Sequence, residues 1–191
     1  MNYSAIKNCD IANGEGVRVS LFVSGCNNHC KGCFNKETWD FNHGQTLTFE
    51  TVQDIGEMLN HEYINGLSIL GGEPLDPLNV NGVKFVLELC EYEINNKKKN
   101  VWLYTGYTFE ELLHRIKTED KDGELKYILE HVDILVDGRF IEDKKDISLV
   151  FRGSTNQRII NCKKSLKESL ETYDKDGFCV LYTYRDEDFK K

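Results

Sequence analysis

Two periods alternate along the chain. Short apolar runs, each stopped by glycine or a polar pair, occupy residues 17–25, 66–72, 101–104 and 132–136 and read as buried strands. Between them, apolar residues recur at helical spacing. Residues 48–60 set Val52, Ile55 and Leu59 on one face, and residues 79–94 carry the stripe Val83, Val86, Leu87, Cys90 and Ile94. Thr108-Phe109-Glu110-Glu111 is a capping-box string leading into Leu112, Leu113 and Ile116, and a further helix is predicted over 124–131. Beyond Ser148 the pattern weakens. Residues 151–158 are polar and read as a loop, 163–173 as a helix, and the aromatic stretch 178–184 as an extra edge strand.

Strands that alternate with helices build parallel βαβ units, so the fold class is α/β with a mostly parallel sheet. A complete eight-fold (βα) barrel takes ~250 residues, whereas this chain has 191, so any barrel here is an incomplete one. No internal repeat or linker divides the chain, and a single domain over 1–191 is expected. In parallel α/β architectures the loops at the carboxyl ends of the strands gather at one rim. Four such loops carry small or polar residues: a cysteine-bearing loop after residue 25, Gly71-Gly72-Glu73-Pro74, Thr105-Gly106 and Asp137-Gly138.

Chemistry concentrates in the first of these loops. Cys26, Cys30 and Cys33 stand in the spacing C-x3-C-x2-C. Thiolates are soft ligands that suit iron–sulfur clusters and zinc. Structural zinc sites are closed by four ligands, usually as two short pairs, and here there is one triplet. Three thiolates can hold three irons of a cubane cluster and leave the fourth iron open to a small molecule. Zinc closed by His29 stays an alternative, although the simpler reading of His29 is a solvated loop residue. Cys9, Cys90, Cys162 and Cys179 are scattered singly and read as small apolar residues.

Composition narrows the class. An odd number of cysteines, seven, argues against a secreted disulfide framework, and iron–sulfur chemistry needs a reducing compartment. Without a signal-peptide pattern or an apolar stretch of spanning length, a cytoplasmic protein with no membrane partner is expected. The net charge of −8 argues against a nucleic-acid surface. The run Lys97-Lys98-Lys99 follows a predicted helix, where cations are favourable.

Several strings, taken together, carry a family resemblance. The cysteine triplet followed by a strand-terminal Gly-Gly-Glu-Pro resembles the radical S-adenosylmethionine superfamily. Further strings are similar to one branch of it, the activating proteins of anaerobic (class III) ribonucleoside-triphosphate reductases. These are Asn13-Gly14-Glu15-Gly16, Gly32-Cys33-Phe34-Asn35-Lys36 with Thr38-Trp39, Trp102-Leu103-Tyr104-Thr105-Gly106-Tyr107, Leu135-Val136-Asp137-Gly138-Arg139-Phe140 and 152–158. The likeness is collinear over residues 1–160, and 161–191 forms an extension without a clear counterpart. Glu15 stands where the family usually has proline, Asn28 where histidine is common, Glu73 where aspartate is frequent, and Gly32 where the wider superfamily often has an aromatic. None of these departures removes a thiolate.

The resemblance implies an incomplete barrel of the radical S-adenosylmethionine type. It also implies a [4Fe-4S] cluster held by Cys26, Cys30 and Cys33, with S-adenosyl-L-methionine chelating the open iron. Reductive cleavage of that cosubstrate gives methionine and a 5′-deoxyadenosyl radical, which takes hydrogen from a glycine of the large reductase subunit. A low-potential electron donor is the second partner implied. Gly71, Gly72 and Glu73 are expected at the cosubstrate ammonium, with tight-turn formation as the plainer role of the glycines. Gly32, Cys33 and Phe34 are expected near the adenine, although Phe34 also suits loop-anchoring packing. Thr105 and Asp137 are candidates for ribose or other polar contacts, while Asp137 equally suits a turn residue before Gly138. Arg152, Asn156, Gln157 and Arg158 read as loop organisers or partner contacts, and Trp39 and Trp102 as packing. Rival readings are a small-molecule enzyme such as a 7-carboxy-7-deazaguanine synthase, a pyruvate formate-lyase activase, and a non-catalytic zinc or iron–sulfur module.

Overall fold

Each strand ends where a glycine or polar residue lets the chain turn. In the computed structural model of the chain, which describes residues 1–176 and 178–190, the strands are β1 (Asn2–Asp10), β2 (Arg18–Val23), β3 (Gln45–Thr46), β4 (Gly66–Gly71), β5 (Asn100–Tyr104), β6 (Ile134–Asp137), β7 (Arg158–Asn161) and β8 (Thr183–Tyr184). The helices are α1 (Phe49–Leu59), α2 (Val80–Leu89), α3 (Glu91–Asn96), α4 (Phe109–Thr118), α5 (Glu124–His131) and α6 (Cys162–Asp176). Thr108 caps α4 with both halves of the capping box, as its string predicts.

The strands form one open sheet in the order β3-β1-β2-β4-β5-β6-β7-β8. Its centre is parallel: Arg18 lies beside Gly66, Leu67 beside Val101, and Leu103 beside Leu135. Antiparallel strands flank that centre, β1 and β3 on one side and β7 and β8 on the other. Several elements differ from the sequence expectation, among them the two-residue β3, which no pattern announces. β1 forms although its apolar alternation is weak, because it pairs along β2 with two irregularities of register. β7 begins at Arg158, a residue read as loop, and is held by β6. The edge strand expected over 178–184 is confined to Thr183–Tyr184. The stripe over 79–94 bends at Cys90, so α2 and α3 are separate helices, yet Cys90 and Ile94 stay in the same core.

Alternation along the strands sorts side chains to two faces. Val19, Leu21, Leu67, Ile69, Val101, Leu103, Leu135 and Ile160 join the main core, with apolar residues from α1 to α6. All six helices therefore cover one face. The opposite face carries a small cluster, Trp102, Val136 and Ile159, with Tyr104, Phe151, Tyr184 and Phe189 packed against it. Lys99, from the basic run, is buried and donates to the carbonyls of His61 (2.9 Å) and Ile64, so it clamps the turn after α1 instead of facing solvent at a helix end.

A fully buried Arg18 holds the amino ends of three strands together. Its Nε donates to Ser68 Oγ (2.6 Å), Nη1 to Asn100 Oδ1 (2.7 Å) and Glu15 O (3.1 Å), and Nη2 to Leu67 O (2.8 Å) and Asn100 O (3.1 Å). The guanidinium also lies 5.5 Å from the Trp102 ring centre. Burial pulls its pKa down to about 10, so it remains charged at neutral pH. Arg18→Met keeps the bulk and leaves these acceptors unmet. Urea unfolding followed by tryptophan fluorescence is expected to show a loss of ~3 kcal/mol or more, and Arg18→Lys should recover little of it because an ammonium cannot reproduce the planar fork.

Candidate functional site

The loops after β2, β4, β5 and β6 enclose a cavity of about 630 Å³. The cysteine loop leaves β2 through Ser24 and Gly25. Its return leg, the short turn Lys36–Trp39, is tied to its start: the Gly25 N–H donates to Thr38 O (2.8 Å) and the Cys26 N–H to Trp39 O (3.1 Å). Gly71, which ends β4, and Gly72 press against the same backbone. The Gly72 N–H donates to Val23 O and the Glu73 N–H to Gly25 O, both at 2.8 Å. A Cβ on Gly72 would lie 2.5 Å from Gly25 O, so only glycine permits this approach. Asn79, whose role the sequence does not announce, sets its Nδ2 3.0 Å from Ser24 O, 3.2 Å from Gly25 O and 3.0 Å from Glu73 O.

Glu73 is fully buried and accepts four hydrogen bonds. Oε1 receives Thr105 Oγ1 (2.6 Å) and the Leu75 N–H (3.1 Å), and Oε2 receives the Gly106 N–H (2.7 Å) and Asn28 Nδ2 (2.9 Å). Burial pushes its carboxyl above the usual carboxylate range, and the four bonds pull it back. Every partner is a donor, so the set matches the ionised form. Asn28 is fixed in turn by Arg139, whose Nε donates to Asn28 Oδ1 at 3.0 Å. Asn27 Nδ2 reaches Asp76 Oδ2 at 2.8 Å. The departure to asparagine at 28 thus links the cysteine loop to the loops after β4, β5 and β6.

Cys26 is buried and Cys30 and Cys33 are half-buried; all three carry free thiols and line the cavity. Burial pushes the Cys26 and Cys30 thiols up, and the charges of Glu73 and Cys33 add to this at Cys26 and Cys30 respectively. A metal bound there displaces those protons. Among the described residues no three His, Cys, Asp or Glu side chains are arranged to hold one metal ion. A cubane meets each thiolate at its own iron, so three thiols spread round one cavity suit it chemically. His29 is exposed, with a left-handed φ of 45°, and its ring lies tilted at 33° to that of Trp39 with 4.6 Å between ring centres.

Gly32, Phe34, Gly71, Gly72, Glu73 and Thr105 line the cavity with the cysteines. Phe34 is 97% exposed, so it does not anchor its loop by packing. Asp137 is placed elsewhere. It is buried, and its carboxylate accepts from Arg158 Nε (3.0 Å), from Arg158 Nη2 and from the Phe109 N–H (2.8 Å) that opens α4. The positive helix end and the guanidinium claim the carboxylate. Arg158 also grips Glu110 at 2.9 and 2.7 Å, which holds the Glu110 carboxyl below its usual range. Gln157 and Asn156 close the neighbouring loop: Gln157 Nε2 donates to Gly138 O and Asn156 Nδ2 to Arg139 O, both at 2.9 Å.

Glu73→Gln replaces an acceptor with an amide that faces donors. Chemical denaturation is expected to show ~1–3 kcal/mol of lost stability, with limited proteolysis cutting earlier within the cysteine loop than in the unsubstituted protein.

A family model described as "4Fe-4S single cluster domain" matches residues 12–160. Three proteins named anaerobic ribonucleoside-triphosphate reductase-activating protein are similar over most of their length. That of Enterobacteria phage T4 is 38% identical over 159 residues, spanning 83% of this chain and 93% of the relative. The Haemophilus influenzae protein is 39% identical over 161 residues, 83% and 97% of the two chains. That of Escherichia coli K12 is 39% identical over 159 residues, 82% and 96%. The chain belongs to the 4Fe-4S single cluster domain family, among the anaerobic ribonucleoside-triphosphate reductase-activating proteins.

Proposed function

We propose that the chain installs the glycyl radical of an anaerobic ribonucleoside-triphosphate reductase, using S-adenosylmethionine at a [4Fe-4S] cluster. The observation that carries this reading is the meeting of three free thiols and the Glu73-braced Gly-Gly-Glu loop at one cavity. Cys26, Cys30 and Cys33 hold the cluster. When bound, the reduced cluster would supply the one electron that cleaves an S–C bond of S-adenosylmethionine, giving methionine and a 5′-deoxyadenosyl radical.

The chain's own residues bind and orient. Gly71 and Gly72 bring main-chain carbonyls to the cavity, where they receive the cosubstrate ammonium. Both oxygens of Glu73 are engaged, so its part is to fix that loop against the cysteine loop. The Gly32-Cys33-Phe34 backbone lies at the adenine, and Thr105 borders the cosubstrate while its hydroxyl steadies Glu73. Asp137 acts as a positioning residue that holds the turn at Gly138 through Arg158. Helices on a single face support reading the open sheet as an incomplete barrel of the radical S-adenosylmethionine type. Its uncovered rim suits entry of a loop from the large reductase subunit, the protein substrate. A low-potential donor reduces the cluster, and the cytoplasm is the compartment. Among the described residues no helix is long and apolar enough to cross a membrane.

Electron paramagnetic resonance tests the proposal. A glycyl doublet is expected only when the reconstituted chain, the large subunit, S-adenosylmethionine and a reductant are combined. Cys26→Ala, Cys30→Ala and Cys33→Ala are each expected to lose most of the visible iron–sulfur absorption and the doublet, whereas Cys9→Ser, at an exposed position on β1, retains both. A metal centre fully ligated by protein and indifferent to S-adenosylmethionine would sink the reading.

A further inference from the structure

The cavity has a second wall, away from the cysteines. It is built on the sheet face opposite the helices, where Tyr104 and Phe151 pack against Trp102, Val136 and Ile159. Tyr104 and Arg152, the residue after Phe151, both line the cavity. The Tyr104 hydroxyl and the Arg152 Nε are buried and lack any hydrogen-bond partner. The rest of the Arg152 fork is engaged: Nη1 donates to Gln157 O at 3.0 Å, and Nη2 pairs with Asp186. Asp186 belongs to the segment past residue 160, beyond the family match. In the same segment Phe189 packs 5.7 Å from the Trp102 ring and 5.5 Å from that of Phe151. The tail thereby holds Arg152 in place. Buried donors are almost always satisfied, and two unmet ones on residues that line one cavity call for a ligand that brings acceptors.

The mouth of the cavity indicates what that ligand is. Phe34 is 97% and Ile147 94% exposed, and both line the cavity. Large apolar side chains held in water around an opening suit coverage by a macromolecule, since a small cosubstrate inside would leave them wet. A glycine, moreover, has no side chain to fill a pocket. Only its own backbone and that of its neighbours can be read, and main-chain carbonyls are acceptors.

Resting on the function proposed above, we infer that Tyr104 and Arg152 form a backbone-reading subsite for the protein substrate. The Tyr104 hydroxyl and the Arg152 Nε–H donate to main-chain carbonyls of its glycine-bearing segment, and Phe34 and Ile147 cover the flanks of that segment. Asp186 is a positioning residue that acts through Arg152.

The test uses the full reconstituted chain and Tyr104→Phe, Arg152→Lys and Asp186→Ala. Activation of the large subunit gives KM values for that subunit and for S-adenosylmethionine separately. Calorimetry with a synthetic peptide spanning the subunit's radical-bearing glycine gives a Kd that needs no turnover. Tyr104→Phe is expected to raise both the subunit KM and the peptide Kd about tenfold, with the KM for S-adenosylmethionine moving less than twofold. Its thermal midpoint should equal or exceed that of the unsubstituted protein, because the lost hydroxyl makes no internal bond. Arg152→Lys and Asp186→Ala should weaken peptide binding in the same sense. The inference is overturned if the S-adenosylmethionine KM rises while the subunit KM stays, or if no binding constant moves and the two donors merely meet water. Failure of the unsubstituted chain to cleave S-adenosylmethionine would instead strike the functional reading, and that control is read first.

Discussion

One buried carboxylate holds the site in register. Glu73 sits in the loop two residues past β4, and its four donors come from the cysteine loop, from its own loop and from the loop after β5. A carboxylate in a dry setting is costly unless its lone pairs are matched, so the loops must stay where they are for the charge to be tolerated. The constraint spreads outward through Asn28 to Arg139, and so reaches the loop after β6. Separate strand ends thereby act as one rigid collar. A collar of this kind lets the cysteine loop keep its thiols in place although the loop has little secondary structure of its own.

The two faces of the sheet divide the work. The helices bury one face under a continuous apolar core, which supplies the bulk of the stability. The other face keeps only a small aromatic cluster and leaves room for a cavity at the carboxyl ends of the strands. Arg18 closes the amino end of that second face with a cation, which lies over the Trp102 ring and reaches β4 and β5. Polar closure at one end and an open rim at the other give the cavity a floor and a mouth.

Most of the helices and central strands were legible because apolar periodicity and burial have the same cause. Val52, Ile55 and Leu59 recur at helical spacing because one side of α1 faces the sheet, and all three are buried. β1 and β7 were not, since pairing with β2 and β6 decides them more than their own side chains do. The cysteine triplet and the Gly-Gly-Glu string could be read as candidate site residues because their chemistry is local, and they line one cavity. Asp137 shows the limit. Its position at a strand end was plain, but its partner Arg158 lies 21 residues further on and takes the carboxylate out of the cavity lining. Asn79 and Asn28 bear on the site through backbone and carboxylate contacts that no spacing encodes.

The two outermost strands carry a consequence for how the molecule behaves in a crowded solution. A sheet that does not close exposes unpaired amides at its margins, and long margins of this kind recruit foreign strands into aggregates. Here β3 and β8 are two residues each, Gln45–Thr46 and Thr183–Tyr184, and β1 beyond Tyr3 runs on as an edge whose ladder is interrupted twice. Short outer strands and a bulged edge blunt that template. The sheet can therefore stay unclosed and its rim accessible while its margins invite little strand exchange with other chains.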